Sequence, residues 1–432
     1  MPINPLAKKL NEQINNENSA IYDLLTPYGR RLYFPKGIVS QSNEAKKSAH
    51  LFNATIGIAT ENNAPMHLLT VKHFIADEFK VNEVFPYAPS SGLLPLRKLW
   101  QQRQRNLNQS ITQSSMPVVT NALTHGLSLI GDLFINPEDT VIVPDKFWGN
   151  YRLMWEVNKQ AKFEFFPTFN ENLQAFNTNS LTKILLDKPL KKAIVVLNFP
   201  NNPTGYTVTK SEAKQIKEIL HTAAMRGTNL VIICDDAYWG LTYENDCEKE
   251  SFFGELANCH KNILTIKIDG CTKEHFMWGF RVGFITFGSK DCDQAYQALE
   301  SKVSGAIRGN ISNVNHHGQT LLLKALQQPS IETEIIEKRT ILKKRYEKVK
   351  EVVYNKEYLK FWDVYPFNSG YFMCLRLKTV TAEKLRIHLL SKHGIGTIST
   401  GEKDLRVAFS CLNEKDIELL FKMIANASEE LA

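Results

Sequence analysis

Four short runs, TVIVPD (140–145), AIVVLNFP (193–200), NLVIICDD (229–236) and NILTIKIDG (262–270), are continuously apolar and rich in Val and Ile. A strand with one buried face alternates apolar and polar residues. A strand that is apolar on both faces needs cover on both, and parallel sheets obtain it from the helices of their crossovers. Between the second and third runs lies TKSEAKQIKEILHTAAMRG, which opens on the capping pair Thr209/Glu212 and closes with Gly227 past its last turn. ESFFGELANCH supplies the next, shorter crossover. The pattern predicts a doubly wound α/β domain, assigned to residues 65–315. The chain beyond it reads differently. From Glu334 a long helical segment leads to SGYFMCLRL, AEKLRIHLLSKHGI, DLRVAFSCL and a final helix, which predicts a smaller α+β domain over 316–432. Residues 1–64 are too polar for a core of their own and are expected to pack with that smaller domain.

With 432 residues, 43% of them hydrophobic, the chain is long enough for two or three such lobes. Its formal charge of +7 comes from Lys and Arg spread along the whole chain. A nucleic-acid arm concentrates its charge, so no nucleic-acid partner is expected. The densest basic run, EKRTILKKRYEKVKE, places Ile341 and Leu342 at helical spacing and reads as a solvated helix face rather than a phosphate patch. Seven cysteines form no CxxC pair, which fits reduced thiols and a cytoplasmic location. The leader MPINPLAKKLNEQINNENS lacks an apolar signal core, and no uninterrupted apolar run reaches the ~18 residues of a membrane span. A soluble protein without a membrane partner is expected.

Ligands collect at the carboxyl edge of a parallel sheet, so the residues that follow each strand matter most. Asn201, Asn202, Pro203, Thr204 and Gly205 follow the second run, Asp235, Asp236 and Tyr238 end the third, and Lys273 follows the fourth. The stretch from Asp269 to Phe280 is too short for a full crossover, so RVGFITF is expected to run antiparallel and to start Arg281 at the same edge. Taken singly, NNPTG reads as a turn, Asp235 as a helix cap and Lys273 as a solvated cation. Their combination in this order reads as one site.

That order resembles the pyridoxal-phosphate-dependent aminotransferases of class I/II, fold type I, the group that includes the aspartate aminotransferases. The likeness spans nearly the whole chain through NFPNNPTG, DDAY, TKEHFMWGFRVG, IRGNISN and LRVAFS. It implies a large, mostly parallel sheet domain of the seven-stranded type and pyridoxal 5'-phosphate as cofactor. Lys273 matches the Schiff-base lysine, and Arg281, eight residues on, the arginine that grips the cofactor phosphate. Asp235 matches the carboxylate on the ring nitrogen, while Asn202 and Tyr238 match the pair on its phenolic oxygen. Trp148 resembles the aromatic that stacks on the ring. The Leu123 amide and the Thr124 hydroxyl fall where the phosphate loop belongs, at a helix N-terminus suited to anions, with Thr272 as a further hydroxyl. Arg406 matches the residue that holds the substrate α-carboxylate, and Gly57 a backbone contact beside it. Tyr87 resembles a tyrosine that reaches the neighbouring subunit's phosphate, which implies a homodimer with shared active sites.

The resemblance also implies a reaction, the transfer of an amino group between an L-amino acid and a 2-oxo acid, in which Lys273, once freed, moves the substrate Cα proton. Arg308, in AIRGNISNVNHHG, occupies the place of an arginine that pairs with the distal carboxylate of aspartate, glutamate or 2-oxoglutarate. Two departures stand out: Gly270 replaces a serine that touches the phosphate, for which Thr272, Thr124 or Ser312 would compensate, and Tyr151 replaces a histidine behind the ring-binding carboxylate. A lyase or decarboxylase of the same fold would keep Lys273, Asp235 and Arg281 and differ in its substrate contacts. A non-enzymatic regulator would need a DNA-binding module, for which the leader is too short and too polar.

Overall fold

The computed structural model describes residues 3–432 apart from 18, 34–36, 63, 78 and 189, so Met1, Pro2 and Asn18 of the polar leader lie outside the described residues. Seven strands, β1 (Val118–Asn121), β2 (Thr140–Pro144), β3 (Lys162–Phe166), β4 (Lys192–Leu197), β5 (Asn229–Asp235), β6 (Ile263–Gly270) and β7 (Val282–Gly288), form one sheet in the order β1-β7-β6-β5-β4-β2-β3. β7 runs antiparallel to both its neighbours, and the other pairings are parallel. The reason is the one legible in the sequence. Only a helix of one turn, Cys271–Glu274, and a 3-10 turn, Trp278–Phe280, separate β6 from β7, too little chain to cross the sheet.

The continuous apolar runs are explained by burial on both faces. On one face Ile142, Val195 and Ile232 pack under Leu181, Ile216 and Leu220, while on the other Val141, Ile194 and Ile233 pack against Leu127, Ile130 and Val303. Successive strand residues thus serve different layers. The covering helices are α1 (Ala122–Phe134), α2 (Thr178–Leu186), α3 (Lys210–Met225) and α4 (Asp293–Asn310). α3 starts where its capping box predicts: Thr209 Oγ1 accepts from the Glu212 amide at 3.2 Å, and Glu212 accepts from the Thr209 amide at 2.7 Å.

After the long helix α5 (Ile331–Val353) comes an antiparallel four-stranded sheet of β8 (Trp362–Val364), β9 (Phe372–Leu377), β10 (Ile398–Ser399) and β11 (Asp404–Ala408), in the order β8-β9-β11-β10. The helices α6 (Ala382–His393) and α7 (Ile417–Leu431) pack with this sheet. The N-terminal segment reaches it too. Phe52–Asn53 pairs in parallel with Ile395–Gly396, and the Gln41 amide exchanges hydrogen bonds of 2.8 and 3.1 Å with the Ser399 backbone. Arg31 meanwhile donates to Val157 O at 3.1 Å, so the segment also holds the flank of the large sheet.

The basic run lies on α5, and its Lys343, Lys344 and Lys350 are solvated as expected. Lys338 and Arg339 are half-buried in ion pairs with Glu61 and Glu274, and Arg345 departs furthest. It is buried and donates to Ser410 O at 2.6 Å and Thr60 O at 2.7 Å, tying α5 to the small sheet's edge. All seven cysteines are free thiols, and among the described residues no helix is long and apolar enough to cross a membrane.

Candidate active site

A cavity of about 180 Å³ opens at the carboxyl edge of β4, β5 and β6. Its wall contains Gly57, Leu123, Thr124, Trp148, Asn202, Asp235, Tyr238, Thr272, Lys273, Arg281 and Arg406, residues scattered over 350 positions from 57 to 406. Ile38, Ala122, Leu127, Asn198, Ala237 and Phe372 complete it, and no role had been assigned to these six. Asn198 had a signal: it is the first residue of NFPNNPTG. Its amide donates to Asp235 O at 2.9 Å and its carbonyl oxygen accepts from the Asn202 amide at 3.0 Å, so it sets the spacing between two wall residues.

Not every residue expected at this edge faces the cavity. Of NNPTG only Asn202 does; the Asn201 side chain instead caps Thr204, accepting from its amide at 3.1 Å and its hydroxyl at 2.7 Å. Asp236 turns away as well, into a buried pair with Lys267 and a 2.6 Å hydrogen bond from Ser251 Oγ. Consecutive residues leaving a strand point to opposite faces, which separates Asp236 from Asp235.

Asp235 is buried, and burial raises its carboxyl above the ordinary value, opposed by the Tyr151 hydroxyl, the Lys273 charge and the Ala237 amide. The Tyr151 hydroxyl donates to one carboxylate oxygen, and the Ala237 amide to the other at 3.2 Å. Tyr151 is itself fixed by stacking on Trp155 at 4.9 Å. The departure at position 151 therefore leaves the carboxylate with a donor behind it. Trp148, half-buried and edge-on to Tyr151 at 5.5 Å, forms the neighbouring wall.

Lys273 lies on the short helix after β6. Its amine is 5.1 Å from the Tyr238 ring centre, and its backbone carbonyl accepts from Tyr371 OH at 3.0 Å. Desolvation lowers the amine to about 8; Asp235 opposes the shift and Arg281 adds to it. Thr272 Oγ1 is buried with no hydrogen-bond partner, and the α1 N-terminus presents Ala122, Leu123 and Thr124 to the same cavity. Arg281, held in the left-handed region at φ 57°, brings its side chain to the mouth, where Nη1 donates to Trp278 O at 3.3 Å. At Gly270 a Cβ would lie 2.8 Å from both Gly283 Cα and Val282 O. β6 and β7 approach too closely there for a serine.

On the opposite wall Arg406 is 1% exposed. Nη1 donates to Asn202 Oδ1 at 2.9 Å and Nη2 to Thr55 O at 3.0 Å, Nε has no partner, and the guanidinium lies 4.1 Å over the Phe372 ring. Among the described residues no carboxylate pairs with it. A buried cation without a counter-ion is costly unless an anion arrives.

Tyr87 and Arg308 are placed elsewhere. Tyr87 is 91% exposed, and Arg308 is exposed with Nη1 on Ser312 Oγ at 2.6 Å. They share one surface, because Ser90 Oγ donates to Ser312 O at 3.0 Å and His316 Nδ1 lies 2.8 Å from Pro86 O. Ser312 is thus engaged away from the cavity.

The sheet order and the lysine-bearing turn define a fold type I enzyme. The class I and II aminotransferase family model matches residues 61–424, and the chain belongs to that family. A Bacillus subtilis (strain 168) protein named "Probable N-acetyl-LL-diaminopimelate aminotransferase" is 24% identical over 407 residues, covering 90% of this chain and 92% of its own. An aspartate aminotransferase of the same organism is 27% identical over 268 residues, 61% of this chain and 63% of its own. Among solved structures, an aminotransferase from Anaerococcus prevotii superposes with a TM-score of 0.83 at 21% identity, over 94% of this chain and 99% of its own. Aspartate aminotransferase from Thermus thermophilus with maleate gives 0.76 at 17%, over 93% and 99%.

Enzymes of this family use pyridoxal phosphate. The cavity fits that group on its own chemistry: a desolvated amine for the aldehyde, a buried carboxylate for a ring N–H, and an orphaned Thr272 hydroxyl beside a helix N-terminus for the phosphate.

Proposed function

We propose that this chain is a pyridoxal-phosphate-dependent aminotransferase. It moves an amino group between an L-amino acid and a 2-oxo acid, with a dicarboxylate pair such as aspartate or glutamate and 2-oxoglutarate, as a cytoplasmic homodimer with shared sites. The observation that carries the reading is the cavity itself, whose wall brings together one low-pKa amine, a buried carboxylate and a buried arginine that has no carboxylate partner among the described residues.

Lys273 would hold the cofactor through its amine, and as a neutral amine it can accept the proton at the substrate Cα. When bound, pyridoxal phosphate supplies the electron sink for the charge left at Cα. Asp235 keeps a proton on the ring nitrogen, and Tyr151 holds that carboxylate in place. Asn202 and Tyr238 donate toward the ring oxygen, Trp148 covers the ring, and Arg281 with Thr272, Thr124 and the Leu123 amide holds the phosphate. Arg406 takes the substrate α-carboxylate, oriented by Asn202 and Thr55, with the Gly57 backbone beside it.

The dicarboxylate preference rests on Arg308 in its motif and on relatives named aspartate aminotransferase. Arg308 lies outside the cavity of its own chain, so it serves a partner's site. The surface it shares with Tyr87 also exposes Val81 (68%), Phe85 (79%) and Ile311 (37%), apolar area suited to a subunit interface. A wider cavity of about 660 Å³, lined in part by Lys146 and Arg152, shares Ile38, Trp148 and Asn202 with the first and gives the substrate side chain an approach.

The test is a half-reaction screen. Cofactor-loaded protein mixed with aspartate, glutamate, alanine or phenylalanine should shift its absorbance to the pyridoxamine form fastest with the two dicarboxylates. Arg308→Ala should lower kcat/KM for them by about 2 kcal/mol or more in barrier and leave alanine nearly unchanged. No conversion with any amino acid would remove the aminotransferase reading; a preference for neutral donors untouched by Arg308→Ala would remove the substrate assignment.

A further inference from the structure

A second set of ligating side chains lies far from the cavity, at the carboxyl ends of α6 and α7. His388 and His393 come from the last two turns of α6 and Glu430 from the last turn of α7. The two imidazoles are 18% and 17% exposed and the carboxylate 47%. His388 Nε2 lies 2.6 Å from Glu430 Oε2, His393 Nε2 lies 3.3 Å from the same oxygen, and the ring centres are 5.5 Å apart at 67°. One donor atom from each of the three residues falls within 4.8 Å of the others.

These spacings suit a shared ion. Two ligands held at the ~2.0 Å bond lengths of zinc in tetrahedral geometry stand roughly 3.3 Å apart, which is the His393–Glu430 spacing, while His388 stands at hydrogen-bond distance from Glu430 and would turn outward to admit an ion. The charges suit it too. Two neutral imidazoles and one carboxylate give a net charge of −1, and two helix carboxyl ends add partial negative charge that favours a cation. The adjacent Glu429 is occupied by Lys360 at 3.0 Å, whereas the Glu430 oxygen is turned to the imidazoles.

We propose that His388, His393 and Glu430 bind one divalent transition-metal ion, zinc fitting best, with water at the remaining position. The ion clips α7 to α6. Leu385 and Leu389 already pack in the same core as Phe421 and Ile424, so the clip adds stability to a formed helix pair rather than creating it. None of the three residues lines the cavity, so transamination does not pass through this site.

The test uses full-length, cofactor-loaded protein stripped with chelator and titrated with zinc alone, with bound metal counted after equilibrium dialysis. One zinc per chain is expected, together with a rise in Tm. Glu430→Gln and His388→Gln/His393→Gln should each weaken binding more than tenfold, a loss that even outer-shell changes cause at metal sites, and should abolish the Tm rise. Their turnover should stay at parental values, and their metal-free Tm should fall by no more than the small amount that half-exposed histidine–carboxylate contacts contribute. Cobalt in place of zinc should give the visible bands of a low-coordinate nitrogen and oxygen site in the parent, a readout independent of the variants. No stoichiometric zinc, or zinc that stays bound in both variants, overturns the proposal.

Discussion

At the scale of single residues, the protonation states of Lys273 and Asp235 decide what the cavity can do. Burial removes water from both. It lowers the amine to about 8 and raises the carboxyl, so each charged form is disfavoured by the same surroundings. A lysine at its ordinary value would be almost wholly protonated at neutral pH and a poor nucleophile. Capture of pyridoxal phosphate by the apoprotein should therefore rise about tenfold from pH 7 and level off above about pH 9, because the amine is neutral above its lowered value. A rate that kept climbing tenfold per unit through pH 10 would show an unperturbed lysine. Borohydride reduction and peptide mapping on the same samples should place the pyridoxyl label on Lys273 and on no other lysine. Tyr151 stands behind Asp235 and donates its hydroxyl to the carboxylate. A phenol donates one hydrogen bond and no charge, so it steadies the carboxylate and opposes the rise that burial imposes on it.

At the scale of elements, the turn from β6 into β7 is the most informative piece of the chain. Crossover helices place successive parallel strands, but this return is made by a single helical turn and a 3-10 turn, which brings Lys273 and Arg281 out at the same edge. The closeness of β6 to β7 has a price at position 270. Gly283 is wedged as well, since a Cβ there would lie 2.8 Å from Ala122 C at the start of α1. The three segments that carry Thr272, Arg281 and Leu123 are thus packed backbone to backbone. Gly270→Ser, although it adds the hydroxyl that the family resemblance leads one to expect, should cost about 1–3 kcal/mol of stability through overpacking, as measured by denaturant unfolding. It should not tighten cofactor binding. A neutral or stabilising substitution would mean that the two strands have room to part.

At the scale of the whole molecule, the roles proposed for Tyr87 and Arg308 require a second copy to supply them. Both are exposed on one surface, and the cavity of the same chain lacks them. Co-expressing Lys273→Ala with a Tyr87→Phe/Arg308→Ala chain should recover about a quarter of parental dicarboxylate activity, since random pairing makes half the dimers mixed with one intact site each. Sedimentation as a monomer at working concentration would remove the shared-site proposal altogether.

The order of apolar runs and turns was enough to determine the doubly wound sheet, because a strand apolar on both faces has few other homes. The antiparallel return of RVGFITF was legible for the same kind of reason, a connection too short to cross. The family motifs singled out Lys273, Asp235, Asn202, Arg281 and Arg406: the first three end or follow a strand, Arg281 stands just before one and Arg406 lies within one. What the sequence left open depends on distances between segments remote in the chain. Asp236 looked equal to Asp235 until the strand's alternation turned it toward Lys267. The gap at Gly270 is set by how near Gly283 comes from the next strand. That Arg308 and Tyr87 lie outside the wall of the site cavity of their own chain, and that His388, His393 and Glu430 meet across two helix ends, are facts of packing, which local pattern does not encode because the partner residues lie tens to hundreds of positions away.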